Sequence, residues 1–493
     1  MTLSKSQYIR GLQCHKSLWL YKHKPELRDT LDSAQESLFN NGYSVGEAAK
    51  KLFAGGVEVE FDASNFDGMI AKTKELIQSG CKIIYEATFK ENDIFAMADI
   101  LVKNGAYWDI YEVKASTGVK EYHLDDASIQ YYALQNAIDI GRIYVVHINN
   151  NYVRNGDLDV EKLFTIVDIT DEVQNRQHLI PTHIEEMFSM LKADMPNIDI
   201  GTHCSSPNSC DFSGHCWSHI PSPSVFNLYW MNGNKKFEMY YKGIKTYDDI
   251  PDDFKLNATQ QLQVSTYKSK EPHIKPTIIK NFLDTIKFPI NFFDFETFQN
   301  AIPRFDNQRP YMQIPFQYSL HILHEDGRLE HKEFLGDEHI DPRADLITGM
   351  LQDITPTGSI VAYNQSFEMS RIKELSNFDK DRSEALLALN SRFVDLIVPF
   401  RGRGYYHPEF NGSFSIKSVL PAMFPNDDEL NYKKLGSVQN GGDAMETFAN
   451  LYLLKDKSKR EEIRKDLLAY CRLDTLAMVR ILEKLIQIAK GSF

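Results

Sequence analysis

Nowhere in this 493-residue chain does an apolar run approach the roughly 18 residues of a membrane-spanning helix. The opening residues, MTLSKSQYIRGLQC, lack the apolar stretch and small-residue cleavage site of a secretory leader. Both absences point to a cytoplasmic chain without a membrane partner. Basic charge is in deficit as well: 55 Lys and Arg stand against 68 Asp and Glu, a formal net charge of −13. The chain as a whole therefore lacks the positive field of a protein held on nucleic acid by charge alone. A metal-dependent nuclease needs carboxylates rather than a global positive field, and a local strip such as Arg10, Lys16, Lys22 and Lys24 can guide a strand; a solvated helix face fits that strip equally well. Cysteine is scarce, six in all, too few for a disulfide framework at this length. No internal repeat or low-complexity tract is visible, which excludes solenoids and disordered tails.

What is present suffices for more than one core: 42% hydrophobic and 25% charged residues over a length of about three average domains. The pattern changes twice. Residues 1–220 open with helical periodicity and then read as strands (IIYEATF, IFAMADILVK, YWDIYEVKA), with Asn104–Gly105 as a two-residue hairpin turn. A helix over about 123–140 stopped by Gly141, a strand RIYVVHI and a helix over about 171–194 follow. Residues 221–285 are polar and rich in Tyr, Lys and Asp, and read as a small helical connector. From 286 the pattern restarts with the apolar strand NFFDFET, a hairpin turning at Asp326–Gly327, the strand SIVAYN and then mostly helices. The expected fold is multidomain α/β.

Three groups of residues carry chemistry. A turn at Asn104–Gly105 pairs residues 103 and 106, which puts Asp99, Glu112 and Lys114 on one face of a hairpin with the two acids diagonal to each other. Such a pair can hold a divalent ion while the lysine polarises water; a solvated hairpin face carrying an ion pair is the competing reading. In NFFDFET, Asp294 and Glu296 point to one side of the strand while Phe293 and Phe295 point to the other. Tyr470 and Asp474 stand i and i+4 on a late helix, a spacing that an ordinary surface helix also shows. Finally, Cys204, Cys210 and Cys216 fall within thirteen residues, and Cys14 lies far upstream. Clustering of this kind in a cytosolic protein suggests a metal.

Asp99, then Glu112-Val-Lys114 on a strand, then Gln130 on a helix resembles the RecB-like group of PD-(D/E)XK nucleases, with Gly46-Glu47 where that group places an upstream ligand. The group's tyrosine four residues after the glutamine is Leu134 here, with Tyr131 and Tyr132 out of register; Glu86, on the preceding strand, reads first as a structural ion-pair residue and second as a further ligand. Within that resemblance the four cysteines are similar to the ligands of the 4Fe-4S cluster of AddB-type and CRISPR-associated nucleases. Their first gap is longer than the usual one, and zinc, with His203, His215 or His219 as a substitute ligand, is the other option. Cys81 and Cys471 read as plain buried thiols.

The order Asp294-x-Glu296, Asn364 to Glu368, Tyr470-x3-Asp474 resembles the DEDD exonucleases of the tyrosine subgroup, which have an RNase H-like fold. Glu368 stands where aspartate is usual, and Asp395 is an alternative fourth acid that also suits a cap. The resemblance implies two divalent ions, Mg²⁺ or Mn²⁺, on Asp294, Glu296, Glu368 and Asp474, with Tyr470 orienting water. It implies a nuclease with a restriction-endonuclease-like domain over 1–220 and an RNase H-like domain over 286–493. The partner is nucleic acid, DNA before RNA, and the role is repair, recombination or defence. Two live sites, one live site beside a strand-gripping module, and a scaffold with structural carboxylates are the readings left to distinguish.

Overall fold

The computed structural model describes residues 2–30, 33–91 and 93–491, and of residues 33–40 the backbone alone. Contacts divide the chain into two compact units, Met1–His219 with Asn300–Tyr311, and Ile220–Gln299 with Met312–Phe493. The chain is mixed α/β throughout, and among the described residues no helix is long and apolar enough to cross a membrane. Residues 221–285 fall within the second unit, where Val225, Leu228, Met239 and Tyr247 form a small buried cluster.

The first unit is built on a seven-stranded sheet. Its strands are β1 (Leu3–Ser4), β2 (Val57–Glu58), β3 (Ile83–Glu91), β4 (Ile94–Asn104), β5 (Tyr107–Lys114), β6 (Ile140–Ile148) and β7 (Phe164–Asp168). The order runs from β2 through β7 in sequence, with β1 added beside β4. The pairs β3–β4 and β4–β5 are antiparallel, whereas β5–β6 is parallel and is crossed by helix α5 (Glu121–Leu134). Three helices precede β2: α1 (Lys5–Gln13), α2 (His15–His23) and α3 (Ser33–Lys50). Helix α4 (Phe66–Gln78) precedes β3.

The hairpin differs from its expected register. Asn104 pairs with Tyr107, so Gly105 and Ala106 form the turn. Gly105 takes φ +61° at the first turn position, where a side chain would be strained, and Asn104 instead donates its amide to Asp109 at 2.8 Å. Each strand slips by one residue, parity is kept, and Asp99 moves from diagonal to directly across from Glu112. Two helix boundaries also shift. Helix α5 ends at Leu134, and Gly141 lies inside β6, where a Cβ would come 2.6 Å from Asp109 Oδ1. The expected 171–194 helix breaks into Thr170–Arg176 and Ile180–Lys192, with Pro181 opening the second piece because its ring nitrogen cannot donate back to Gln177.

The second unit holds the strands β9 (Ile290–Phe298), β10 (Ile314–Leu323), β11 (Leu329–Leu335), β12 (Ile360–Ala362) and β13 (Phe393–Asp395), in the order β11-β10-β9-β12-β13. A small ladder joins β8 (His273–Ile274) to β14 (Tyr405–Tyr406). In the main sheet β9 runs antiparallel to β10 and parallel to β12. Buried on both faces, β9 reads as a nearly unbroken apolar run. Phe293 and Phe295 pack into the core formed with helices Arg343–Asp353 and Ser366–Phe378. On the opposite face, Phe298 meets Phe448, and the long helix Lys457–Ala489 closes over the strand.

Candidate functional sites

The hairpin of the first unit brings Asp99, Glu112 and Lys114 to one face, and Gln130 reaches them from α5. Glu112 is buried; its Oε1 accepts from Lys114 Nζ at 2.7 Å and from Lys5 Nζ at 2.6 Å, and its Oε2 accepts from Gln130 Nε2 at 2.7 Å. Lys114 also donates to Asp126, and Lys5 lies 3.5 Å from the same carboxylate. Burial works against ionisation of Glu112, but the two ammoniums outweigh it and hold the carboxyl well below its usual range. Asp99 accepts from Val113 N at 2.7 Å, and burial with Glu112 beside it pushes it up to about 6.

Lys5 and Asp126 carry no signal in a motif of Asp, Glu and Lys, since α1 and α5 deliver them from outside the hairpin. Glu86 belongs to this group too. It stands across β4 from Asp99, takes φ +55°, and is pushed up to about 7 by burial and by Asp99. Glu47 does not join them: it is ion-paired to Lys50 at 2.6 Å, and Lys50 also pairs with Glu58. The basic strip is largely absorbed into structure. Arg10 grips Asp211, Lys16 donates to Ile198 O, Lys22 donates to Thr2 O, and Lys24 pairs with Glu26.

Cys14, Cys204, Cys210 and Cys216 line one small pocket together with His203; His215 and His219 are not among its lining residues. All four are free thiols. Burial, joined by the neighbouring thiols, pushes Cys14 and Cys216 up. Among the described residues, the groups of three or more potential ligand atoms mutually within 4.8 Å are Asp294–Glu296–Cys471 and Asp337–Glu338–His339. The four sulfurs therefore stand more openly than the about 3.8 Å separations that 2.3 Å bonds to one tetrahedral zinc impose. Cys81 is peripheral, donating to Ile83 O at 3.2 Å.

In the second unit, Asp294, Glu296, Glu368, Asp474 and Tyr470 line one cleft of about 330 Å³. Strand β9 supplies the first two acids, the first turn of Ser366–Phe378 supplies Glu368, and the long helix supplies the last pair. Tyr470 and Asp474 are buried, unlike the residues of a surface helix. Asp474 accepts from Tyr432 Oη at 2.5 Å and is also held by Tyr470. Glu368 is 3% exposed, and its Oε2 has no hydrogen-bond partner. Burial first, then the neighbouring carboxylates, push Asp294 and Glu296 far above the carboxylate range; burial lifts Asp474 to about 6 and Glu368 to about 8. Asp395 caps a turn, accepting from Asn364 N and Ile397 N, and its charge also presses on Glu368. Two further residues face the acids. Lys417 also lines the cleft, 5.4 Å from the Tyr470 ring, and Cys471, more than a plain thiol, lies 4.0 Å from Asp294 Oδ2.

The two carboxylate sites differ in how their acids are held. In the first unit Glu112 accepts directly from Lys5 and Lys114, with Asp99, Glu86 and Asp126 around it. In the second unit Lys417 acts on Asp294 and Glu296 through its charge, and Arg371 and Asp395 act on Glu368. An orphaned buried carboxylate oxygen beside further acids is what a divalent cation satisfies, and Asp294 and Glu296, with Cys471, place potential ligand atoms within 4.8 Å of one another.

A pH dependence follows. Carboxyls whose folded pKa lies above the unfolded value stabilise the fold fully below about pH 4 and lose that contribution as pH rises through about 6 for Asp474 and about 8 for Glu368. In chelator, calorimetry is expected to show the second unit losing stability from pH 5 to pH 8, with a shallower fall in Glu368→Gln. Equal slopes in the two proteins would contradict the assignment of Glu368.

A domain of unknown function (DUF2779) matches residues 291–415, the stretch that holds Asp294, Glu296 and Glu368. The chain is 29% identical over 268 residues to an uncharacterised protein of Ureaplasma parvum, covering 50% of this chain and 38% of that protein. It is 26% identical over 220 residues to an uncharacterised protein of Mycoplasma genitalium, covering 41% of this chain and 32% of that one. The chain thus spans between about a third and two-fifths of the length of the curated relatives it matches, and within it the unknown-function family covers β9 through β13 but not Tyr470 or Asp474.

Proposed function

We propose that this protein is a metal-dependent nuclease that hydrolyses phosphodiester bonds of nucleic acid, DNA before RNA, from a strand end, with the acid cleft of the second unit as its hydrolytic centre. The observation that carries the reading is the convergence of four carboxylates from three elements on one cleft, with the buried Glu368 Oε2 left without a partner. The order β11-β10-β9-β12-β13, antiparallel strands followed by parallel ones, supports an RNase H-like core. Bound Mg²⁺ or Mn²⁺ would supply Lewis acidity at the scissile phosphate. Asp294, Glu296, Glu368 and Asp474 would hold the ions. Tyr432 fixes Asp474, Tyr470 offers its hydroxyl for orienting water, and Lys417 adds a cation to the cleft that would offset charge developing on the phosphate.

The hairpin site, with α5 crossing from β5 to β6, supports a PD-(D/E)XK reading of the first unit. Saturation of Glu112 by two ammoniums favours the version with one principal live site, in which Lys5 occupies the place a metal would take. Lys5→Met is then expected to tighten Mn²⁺ binding at Glu112 by about tenfold, by removing one competing positive charge. Calorimetric titration of a Glu296→Gln background isolates that site, and unchanged affinity would count against competition. The open arrangement of the four thiols supports a 4Fe-4S cluster over zinc, closing the two ends of the first unit together.

The test of the whole reading is separate Glu112→Gln and Glu296→Gln changes in the full chain, assayed on end-labelled DNA and RNA with Mn²⁺. Loss of hydrolysis in Glu296→Gln is the expected result. Activity that survives in Glu296→Gln and disappears in Glu112→Gln would move the hydrolytic centre to the first unit. No activity of the wild-type chain on any substrate would remove the nuclease reading.

A further inference from the structure

The acid cleft does not end at its acids. Tyr363, Asn364 and Ile416 line both the cleft and a second hollow, and Tyr229, Trp230 and Arg401 line that hollow and a third. The three form one continuous groove within the second unit, floored in part by the 221–285 segment, to which the motif reading assigns no chemistry.

Trp230 is the unusual residue on this path. It is 84% exposed, although indole is the largest side chain and is ordinarily kept mostly buried. Its backbone sits at φ +50°, a region that bulky residues rarely enter. The loop is nevertheless firmly built. The buried Gln263 accepts from Tyr229 N at 3.0 Å, and the buried Gln260 donates to Tyr229 O at 2.9 Å, so helix Ala258–Ser269 grips the peptide just before the tryptophan. Gly412 packs against the same loop so closely that a Cβ would come 1.9 Å from Asn227 O. Tyr229 stacks edge-on against Phe414 at 4.9 Å. A rigid support thus holds an indole out into solvent.

Arg401 and Arg403 flank the ring, both exposed and, among the described residues, neither in an ion pair. Arg401 Nη1 approaches Asn364 Oδ1 at 3.5 Å, on the side of the acid cleft. An exposed aromatic face beside unpaired guanidiniums is the combination that holds a nucleic-acid strand without reading its sequence, by stacking one base and neutralising the adjacent phosphates.

We infer that Trp230, Arg401 and Arg403 form a landing platform for a single strand of nucleic acid whose end lies in the acid cleft. This rests on the nuclease reading above and adds to it how the substrate is held. It also gives the 221–285 segment a role: it carries the stacking residue. Stacking needs an unpaired base, so the platform favours single strands over blunt duplexes.

The test is fluorescence anisotropy of labelled 12-nucleotide single strands, one DNA and one RNA, with the full chain carrying Asp294→Asn to prevent turnover. Adding Trp230→Ala is expected to weaken binding by about 5- to 150-fold, the loss of one base–aromatic stack, whereas Trp230→Phe retains most of it. The double change Arg401→Gln, Arg403→Gln is expected to flatten the slope of log Kd against log salt by about 1.4, for two fewer phosphate contacts on a single strand. Because Trp230 is exposed, folding is not at stake, and an unchanged thermal transition confirms it.

The DNA and RNA arms show which strand the platform prefers. Binding within twofold of the parent in Trp230→Ala, tighter binding of a blunt duplex that ignores Trp230, or no binding of either strand by the parent each overturns the platform. Hydrolysis by the wild-type chain separates the two failures. Turnover with binding that ignores Trp230 keeps the acid-cleft reading and removes the platform. Strand binding that depends on Trp230 without turnover keeps the platform and removes the nuclease reading.

Discussion

Asp294→Asn is expected to lower strand hydrolysis by on the order of 10³-fold and, in the same preparation, to make the metal-free protein more stable. The two effects share one cause. Asp294 is pressed by Asp474, Glu296 and Glu368 in a buried setting where Lys417 offsets part of that repulsion. Two like charges about 4 Å apart repel by up to about 4 kcal/mol at an effective dielectric constant of 20. Partial protonation already relieves some of this, so removing one charge is expected to return roughly 1–3 kcal/mol. For a unit of this size that raises Tm by about 2–4 °C per kcal/mol.

The same substitution removes a proposed metal ligand, so the rise in Tm expected when Mn²⁺ binds the native wild-type protein should shrink. The decisive comparison is therefore a crossing: the variant more stable than wild type in chelator, and less responsive to Mn²⁺. If Asp294→Asn melts below wild type in chelator and still responds fully to Mn²⁺, the four acids are not a metal site.

The second large effect is expected at the cysteines. Positions 14 and 204 are separated by most of the first unit yet line one pocket, and the proposed shared cluster would close that loop. Closing a chain segment of about 190 residues removes about 5 kcal/mol of unfolded-state freedom. That is comparable to the whole stability of many domains. Cys204→Ser is therefore expected to abolish or strongly lower the first unit's thermal transition while leaving that of the second unit in place, since none of the four thiols belongs to it.

Anaerobically purified wild-type protein should be brown and hold iron, and the variant should be colourless. Cys81→Ser is the control, because its thiol bonds only to a local carbonyl; it should change the transition little. An unshifted transition in Cys204→Ser would remove the cluster's structural role, and zinc in place of iron would correct its identity.

Much of the chemistry was legible before any coordinates. Alternation along a strand puts Asp294 and Glu296 on one side, and hairpin parity does the same for Asp99 and Glu112 even though the register slipped, because a two-step change in pairing sum cannot move a side chain to the other face. Those relations are local, set by backbone geometry over a few residues. The placing of Glu47 has a different basis. A helix residue can be assigned to a distant hairpin only by analogy, and its own neighbour Lys50 captured it.

Residues invisible to motif reading share one property: each gains its meaning from a partner far along the chain. Lys5 meets Glu112 across 107 positions, and Tyr432 reaches Asp474 across 42. Trp230 acquires a role only where helix Ala258–Ser269 clamps its loop beside Arg401. The sequence by itself determined the lack of long apolar runs, the two αβ patterns, the faces on which the acids lie and the grouping of the cysteines, because periodicity and spacing act over short stretches of chain. Only the tertiary structure decided which distant cations face the acids, Lys5 in the first site and Lys417 in the second, because these are delivered by elements with no sequence relation to the carboxylates they neutralise.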